Sequence, residues 1–223
     1  ADKVGVMLAR DISAIHPGAK FVADVKSTGL FMTDDVLKSQ GAETDYWKTG
    51  HSYIKRRVHE LGARAGFEKS GHFFFNAPIG RGYDDGIVTA LAVCDMLERN
   101  PDKTMADLRR ALPVTYGSPS MSPYCADETK YGVVDTVVKR FEAMQKAGEK
   151  VGGQAIRDLV TVNGVRVVAE DGTWGLVRAS SNEPKLVVVI ESPVSEERKM
   201  EMFKAVDAVL RENDEVGDYK QGM

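Results

Sequence analysis

Glu68, Ser70 and His72 alternate with Lys69 and Gly71 along one short polar segment. On an extended chain, residues two apart point to the same side, so these three could present a carboxylate, a hydroxyl and an imidazole to one ligand. That set of hydrogen-bonding groups suits the hydroxyls of a sugar. A solvated hairpin tip, with His72 packed under its aromatic neighbours, explains the same segment equally well.

A second polar turn carries Arg178 and the run Ser180-Ser181-Asn182. A guanidinium offers a planar fork to phosphate oxygens, and hydroxyls and turn N–H groups can satisfy the remaining lone pairs. These residue types therefore suit the binding of a phosphate. Taken alone, the spacing favours an ordinary hairpin turn, in which Ser and Asn are common because they form local hydrogen bonds.

Lys26 and His51 each stand at the end of a predicted strand or in its turn. Either could pair with a phosphate or act as a general acid or base, although a single Lys or His is usually only a surface residue. Asp84 and Asp85 come just before a predicted helix, where acids usually serve as the N-cap and first-turn charges. We therefore assign no metal site to this chain.

The elements that must position these residues form two groups. In the first half of the chain, periodic apolar patterns predict helices that alternate with strands, which is typical of a layered α/β domain. Polar turns in such domains tend to follow the carboxyl ends of strands, where open α/β sheets bind their ligands. The predicted helices are 3–15, 30–40, 52–61 and 87–99, and the predicted strands are 20–25, 43–48, 64–68 and 72–76.

A cluster of Pro113, Gly117, Pro119 and Pro123 predicts a boundary between two domains, 1–113 and 114–223. The second predicted domain is a small α+β unit with helices at 127–145 and 196–212. Its strands are predicted at 159–162, 165–168, 175–178 and 186–190, and its Asn163-Gly164 pair predicts an antiparallel hairpin. The predicted apolar face of helix 127–145 consists of Tyr131, Val134, Val137, Val138 and Phe141.

Bulk properties exclude several partners. The formal net charge of −3 gives no whole-chain attraction to nucleic acid or to an anionic membrane, and no apolar stretch is long enough to span a bilayer. Cys94 and Cys125 lack the spacing of a metal site, and Cys94 lies in an apolar helical pattern that predicts burial. We expect a cytoplasmic protein with neither nucleic acid nor membrane as a partner.

Five segments, taken in order, resemble the α-D-phosphohexomutase superfamily, and most closely its bacterial phosphomannomutase/phosphoglucomutase branch. The resemblance covers essentially the whole chain. It includes the family's lysine segment, histidine segment, sugar-binding loop, following helix start and phosphate-binding loop. In this sequence they are Asp24-Val25-Lys26-Ser27-Thr28, Trp47-Lys48-Thr49-Gly50-His51-Ser52, Glu68-Lys69-Ser70-Gly71-His72, Tyr83-Asp84-Asp85-Gly86 and the run 174–184.

The resemblance implies a four-domain isomerase of carbohydrate metabolism that moves a phosphate between the 1- and 6-positions of glucose or mannose. Residues 1–113 would form most of the third domain, and residues 114–223 would form a fourth domain that is TATA-box-binding-protein-like. Transfer in such enzymes passes through a phosphoserine and a hexose 1,6-bisphosphate. Glu68 and Ser70 would hold sugar hydroxyls, and Lys26, His51 and His72 would line the reaction centre. The phosphate would be held by Arg178, Ser180, Ser181 and Asn182.

The family's phosphoserine segment and its Mg²⁺-binding aspartate loop match nothing in these residues. We therefore expect a fragment that is inactive alone, with Mg²⁺ and the phosphoserine on a partner, the N-terminal half of the same enzyme. Two alternatives remain open. One is part of a phosphoglucosamine mutase, for which a Gln-type loop would replace Glu68-Lys69-Ser70, and the other is a non-catalytic phosphosugar-binding module.

This chain departs from the family pattern at four positions. Phe67 stands where Gly is common, and Lys69 varies the sugar loop. Ser181 and Asn182 stand where the family often has Asn and Thr. Both are still hydrogen-bonding residues, so contact with phosphate is expected to persist. We expect the two polar turns to face the same phosphorylated hexose.

Overall fold

The computed structural model describes residues 1–219, and the chain divides into two compact units, Ala1–Pro113 and Val114–Met223. In the first unit, helices alternate with short strands, as the periodic patterns predict. Its elements, in chain order, are α1 (Asp2–Ile15), β1 (Lys20–Asp24), α2 (Leu30–Thr33), α3 (Asp35–Ser39), β2 (Glu43–Trp47), α4 (His51–Glu60), β3 (Ala65–Phe67), β4 (Phe73–Phe75), α5 (Gly86–Glu98) and α6 (Met105–Arg110).

The sheet of the first unit has the strand order β2-β1-β3-β4. β1 pairs in parallel with both β2 and β3, whereas β4 runs antiparallel to β3. The carboxyl ends of the three parallel strands therefore meet at one end of the sheet. The segments that follow these strands carry Lys26, His51 and Glu68, so the topology gathers candidate site residues from separate parts of the sequence.

Helices cover both faces of this sheet. On one face, Phe21 and Ala23 of β1 belong to an apolar cluster with residues of α1 and α5, and on the other face Val22 clusters with Ile54 and Val58 of α4. Successive side chains of a strand point to opposite faces, so the apolar run of β1 is buried on both sides. The resulting three layers confirm the predicted layered α/β fold.

Phe67, at the position where the family often has Gly, is fully buried in an aromatic cluster. Its ring stacks on Phe31 with the centroids 5.4 Å apart and meets Phe73 edge-on at 5.2 Å. Gly5 of α1 leaves the space for this ring, since a Cβ atom at Gly5 would lie 3.1 Å from Cδ1 of Phe67. The large side chain of Phe67 is thus accommodated because Gly5 on the neighbouring helix has no side chain.

Three details of the first unit differ from the sequence-based expectations. The predicted helix 30–40 is two helices, because Asp34 is extended and caps α3 by accepting the N–H of Leu37. Helix α6 was not predicted, although its capping box of Thr104 and Asp107 is a recognisable start signal. The prediction that Cys94 is buried is wrong, because it lies on the exposed side of α5.

The second unit is an antiparallel sheet with two helices on one face. The strand order is β5-β10-β9-β8-β7-β6, and every neighbouring pair is antiparallel. One apolar cluster joins the helices to the sheet. The elements are β5 (Tyr116–Gly117), α7 (Lys130–Ala147), β6 (Lys150–Val151), β7 (Gln154–Val160), β8 (Val165–Ala169), β9 (Trp174–Ala179), β10 (Leu186–Ser192) and α8 (Glu196–Leu210).

The α+β architecture of the second unit was predicted correctly, with three corrections. The buried face of α7 differs from the predicted apolar face, because Tyr131 is 57% exposed whereas Val133 and Met144 are buried. The Asn163-Gly164 segment does join an antiparallel pair, but β7 ends at Val160, two residues earlier than predicted. Strand β6 was not predicted. None of the helices within residues 1–219 has the length and apolar character needed to cross a bilayer.

Candidate functional site

The carboxylate of Glu68 is fixed at the end of the sheet in the first unit. Only 2% of this residue is exposed, and its Oε1 accepts the backbone N–H of Gly50 at 2.6 Å. Gly50 is the N-cap of helix α4, where the helix dipole also favours a negative charge. Oε2 accepts the hydroxyl of the exposed Ser70 at 3.3 Å. The loop therefore holds a carboxylate and a hydroxyl side by side. It does so through a turn, in which the N–H of Gly71 donates to the carbonyl of Glu68 at 2.9 Å, and not along the extended chain from which the prediction was made.

His51 and His72 lie against each other beside this carboxylate. Their ring centroids are 4.4 Å apart, and one oxygen of Asp84 lies 2.7 Å from Nδ1 of His72 and 3.4 Å from Nε2 of His51. The side chain of His72 is 45% exposed, so it is not packed under its aromatic neighbours. Asp84 thus orients two imidazoles, a role that the sequence analysis missed. Asp85, by contrast, is the predicted N-cap and accepts the N–H groups of Ile87 and Val88.

Lys26 is held at the same end of the sheet by Asp24, the last residue of β1. Its ammonium lies 3.4 Å from a carboxylate oxygen of Asp24, which is fully buried. Asp24 also accepts the hydroxyls of Ser27 at 2.6 Å and Thr49 at 3.2 Å, and the backbone N–H of Lys69 at 3.2 Å. Asp24 belongs to the lysine segment of the family resemblance, but no role was predicted for it.

Lys69, whose presence in the sugar loop the family pattern does not explain, contacts the first helix. Its ammonium lies 3.6 Å from Oδ2 of Asp2, and only 6% of Asp2 is exposed. The same carboxylate oxygen accepts the backbone N–H of Thr28 at 2.8 Å. Lys69 therefore ties the tip of the loop to α1 and to the turn after β1.

The second candidate group lies at the end of β9 and in the turn between β9 and β10. Arg178 and Ser180 are 7% exposed, whereas Ser181 and Asn182 are exposed. The hydroxyl oxygen of Ser180 accepts the backbone N–H groups of Asn182 and Glu183, both at 3.3 Å. This serine shapes the turn, and its own O–H remains a donor. Nη1 of Arg178 donates to the carbonyl of Ala179 at 2.5 Å.

Lys130, the first residue of α7, supports this turn and was also missed. Its side chain is 4% exposed, and its ammonium donates to the carbonyl of Glu183 at 3.1 Å and to Asp127 at 2.5 Å. Lys185 forms an ion pair with the carboxylate of Glu183 at 2.7 Å. Lys130 is 53 residues from Glu183 in sequence, so no local pattern indicates this contact.

The predicted site residues thus fall into two groups, one in each unit. The first unit gathers Lys26, His51, Glu68, Ser70 and His72 at one end of its sheet. In the second unit, the predicted phosphate-binding residues share one turn and the strand before it, namely Arg178, Ser180, Ser181 and Asn182.

Both units match models of known domains. Residues 1–116 match the phosphoglucomutase/phosphomannomutase alpha/beta/alpha domain III, and residues 126–209 match the phosphoglucomutase/phosphomannomutase C-terminal domain. An α/β/α domain of this kind followed by this C-terminal domain places the chain in the phosphohexomutase class of proteins. The chain belongs to the phosphoglucomutase/phosphomannomutase family, and the resemblance inferred from its motifs is confirmed.

Individual relatives cover the chain almost completely. This chain is 31% identical over 215 residues to a phosphomannomutase/phosphoglucomutase of Pseudomonas aeruginosa. The aligned region covers 94% of this chain and 43% of that protein. A phosphoglucomutase of Neisseria meningitidis is 31% identical and covers 92% of this chain and 42% of that protein. The crystal structure of a phosphoglucomutase/phosphomannomutase family protein of Burkholderia thailandensis has a TM-score of 0.77 at 25% identity, covering 99% of this chain and 43% of that one. The chain therefore spans less than half the length of these relatives.

Proposed function

We propose that this chain supplies the sugar- and phosphate-holding part of a phosphohexomutase that interconverts hexose 1-phosphate and hexose 6-phosphate. The observation that carries the proposal is the buried Glu68 carboxylate, held between the Gly50 amide and the Ser70 hydroxyl next to a histidine pair. The reaction would pass through a phosphoserine enzyme and hexose 1,6-bisphosphate. The serine would come from the N-terminal half of the same enzyme, and the setting would be cytoplasmic.

Glu68 and Ser70 would hold two neighbouring hydroxyls of the sugar. A carboxylate oxygen can accept more than one hydrogen bond, so Glu68 can take a sugar hydroxyl in addition to the partners that orient it. Hydroxyls on adjacent ring carbons present a similar pair of donors when the sugar is turned over. The same two residues can therefore serve both orientations that a transfer between positions 1 and 6 requires.

Lys26, His51 and His72 would line the place where the phosphoryl group moves. Phosphoryl transfer depends chiefly on positioning and on positive charge near the phosphate oxygens, which these three side chains can supply. Asp84 accepts the Nδ1 proton of His72 and so leaves Nε2 to take or give a proton. Asp24 holds the ammonium of Lys26 at the end of the sheet.

Arg178, Ser180, Ser181 and Asn182 would bind the phosphate that is not being transferred. The hydroxyl of Ser180 already accepts two turn amides, which leaves its proton for a phosphate oxygen. Ser181 and Asn182 are exposed and can reach a ligand from solvent. The residues that replace the common Asn and Thr of the family therefore keep their donors available.

Magnesium does not fit the residues described in this chain. Mg²⁺ requires near-octahedral oxygen ligands, whereas the group of candidate ligands within residues 1–219 contains two imidazoles, His51 and His72, with Glu68. We therefore propose that the magnesium ion of the mutase reaction is bound by the N-terminal half of the enzyme.

An NMR titration of the chain with glucose 1-phosphate tests the binding role. Arg178→Lys keeps the charge but loses the planar fork, so we expect the affinity to fall about tenfold or more. Arg157→Lys is the matched control, because Arg157 is exposed on β7 of the same sheet. For the sugar, Glu68→Gln should weaken binding while Glu128→Gln, an exposed change, should not. Absence of binding, or equal binding by Arg178→Lys and its control, would refute the proposal.

Turnover separates the mutase from the two alternatives. The chain alone should not convert glucose 1-phosphate to glucose 6-phosphate, and adding the N-terminal half of the same enzyme should start the reaction. Binding that is never followed by turnover in that mixture would favour the non-catalytic module. Displacement of glucose 1-phosphate by a much lower concentration of glucosamine 1-phosphate would favour phosphoglucosamine as the substrate.

A further inference from the structure

Among residues 1–219, one group of side chains has both the donor types and the spacing of a metal site. We propose that His51, Glu68 and His72 bind a late first-row divalent ion such as Zn²⁺. One ligand atom from each residue lies within 4.8 Å of the other two. The three residues come from the start of α4 and from the two sides of the loop between β3 and β4, so the fold brings them together.

The donor set distinguishes this site from a magnesium site. Zn²⁺ is commonly held by imidazole nitrogens at about 2.0–2.1 Å and carboxylate oxygens at about 2.0–2.2 Å, and imidazole also suits Cu²⁺ and Ni²⁺. Two histidines and one carboxylate are a frequent set for a zinc ion that keeps its fourth position for water. The same three side chains are assigned to substrate in the proposed function, but metal binding requires only these side chains, so it can be tested without any turnover.

Modest movement of exposed side chains closes the site. Ligand atoms around a tetrahedral zinc ion lie about 3.3 Å apart, so the widest pair must approach by at most about 1.5 Å. Glu68 is fixed by the amide of Gly50, but the side chains of His51 and His72 are 56% and 45% exposed. The two imidazoles, and not the carboxylate, are therefore the side chains that would move to close the site.

Asp84 is the second observation that points to a metal. Its Oδ2 lies 2.7 Å from Nδ1 of His72, which fixes the Nδ1 proton and leaves the Nε2 lone pair as a ligand. The same oxygen lies 3.4 Å from Nε2 of His51. A carboxylate that hydrogen-bonds the far nitrogen of a ligating histidine orients the ring and makes it a stronger ligand.

The test uses the untagged 223-residue chain after removal of metals by a chelator. Zn²⁺ is titrated in competition with a chromogenic chelator, and we expect one ion per chain. Asp84→Asn should lower the affinity about 10- to 100-fold, and His72→Ala should lower it further. His59→Ala is the matched control, because His59 is an exposed histidine of α4 outside the group, and it should bind like the unchanged chain.

A measurement on the unchanged chain guards against variants that fail to fold. With one equivalent of Cu²⁺, the electron paramagnetic resonance spectrum should show coupling to two imidazole nitrogens. A stoichiometric ion with that coupling, lost in His72→Ala and kept in His59→Ala, supports the site. The proposal is overturned if Zn²⁺ does not bind, if Cu²⁺ shows no nitrogen coupling, or if His72→Ala and His59→Ala bind equally well.

Discussion

The carboxylate of Asp24 accepts the backbone N–H of Lys69 at 3.2 Å, across 45 residues of sequence. It also accepts the hydroxyls of Ser27 and Thr49 and lies 3.4 Å from the ammonium of Lys26. A single fully buried carboxylate therefore connects the end of β1, the turn before α4 and the loop between β3 and β4. The relative positions of the candidate sugar-binding and catalytic side chains depend on it.

Asp24→Asn should loosen this connection. The amide removes the charge that balances Lys26 and turns one acceptor into a donor that faces other donors. We expect the free energy of unfolding to fall by about 1–3 kcal/mol. Chemical denaturation measures the loss. Asp35→Asn is the control, because the Asp35 side chain is 98% exposed, and it should leave stability within about 0.5 kcal/mol. Equal stabilities of the two variants would contradict the role given to Asp24.

The contact of Gly5 with Phe67 predicts opposite effects for two glycine-to-alanine changes in helices. A Cβ atom at Gly5 would lie 3.1 Å from Phe67 and 3.2 Å from Phe31, two buried rings that cannot retreat freely. We expect Gly5→Ala to destabilise the chain by about 1–3 kcal/mol through overpacking. Gly132→Ala in α7 meets nothing within 4 Å and should stabilise by up to about 1 kcal/mol. Thermal unfolding measures the change in stability of both variants. If Gly5→Ala stabilised the chain, the proposed overpacking against Phe67 and Phe31 would be refuted.

Local patterns predicted most of the elements and part of the candidate site. The prediction placed Glu68, Ser70 and His72 on one side of an extended chain. Glu68 does lie close to Ser70 and to His72, but a turn at residues 69–71 brings them together. The roles of Asp24 and Asp84 were not recognised, since Asp24 accepts from Lys69 across 45 residues and Asp84 contacts the distant His51 as well as His72, and no spacing rule connects these residues. These contacts follow from strand order, which a single sequence does not reveal.

The sequence also does not always show which face of a helix is buried. Helix α5 is apolar on its exposed side as well, where Ile87 is 76% and Leu91 59% exposed, so its pattern does not show which side is buried. The burial of Cys94 was wrongly predicted for that reason. The roles of the phosphate-loop residues stay a prediction, because a turn of this shape also occurs without any ligand.

Thiol labelling should separate the two cysteines. Cys94 is exposed, whereas Cys125 is buried, and its burial raises the pKa of the thiol. A disulfide reagent such as DTNB should therefore modify one thiol of the folded chain quickly and the other more than about tenfold more slowly. Cys94→Ala should remove the fast phase and Cys125→Ser should keep it, while both thiols react quickly in denaturant. A fast phase that survives in Cys94→Ala would contradict the exposure of this residue.

Lys130 should control the mobility of the turn between β9 and β10. Its buried ammonium donates to the carbonyl of Glu183, a charged hydrogen bond worth about 1.5–3 kcal/mol. Lys130→Met should increase hydrogen exchange at the amides of Asn182 and Glu183 by about tenfold or more. Lys139→Met removes a charge from an exposed position of the same helix and should leave these amides unchanged. Unaltered exchange in Lys130→Met would show that the turn holds its shape without this contact.

The ion pair of Asp171 and Arg198 should make stability depend on pH. Nε of Arg198 lies 2.7 Å from Oδ2 of Asp171, joining the turn before β9 to helix α8. Burial opposes ionisation of this carboxyl, but hydrogen bonds from Arg198 and Thr173 outweigh it and hold the pKa of Asp171 below its usual value. A lowered pKa in the folded state means that the stabilising contribution is present above the ordinary carboxyl pKa and is lost as the pH falls through the folded value.

Asp171→Asn should therefore lower the free energy of unfolding by about 1–3 kcal/mol at pH 7. The difference from the unchanged chain should shrink as the pH falls below about 3.9, because the carboxyl of the unchanged chain then becomes protonated as well. Urea denaturation at a series of pH values measures it, with the exposed Asp135→Asn as the control. A difference that stayed constant down to the acid limit would mean that the asparagine disturbs packing, and the charge of Asp171 would then have no part in stability.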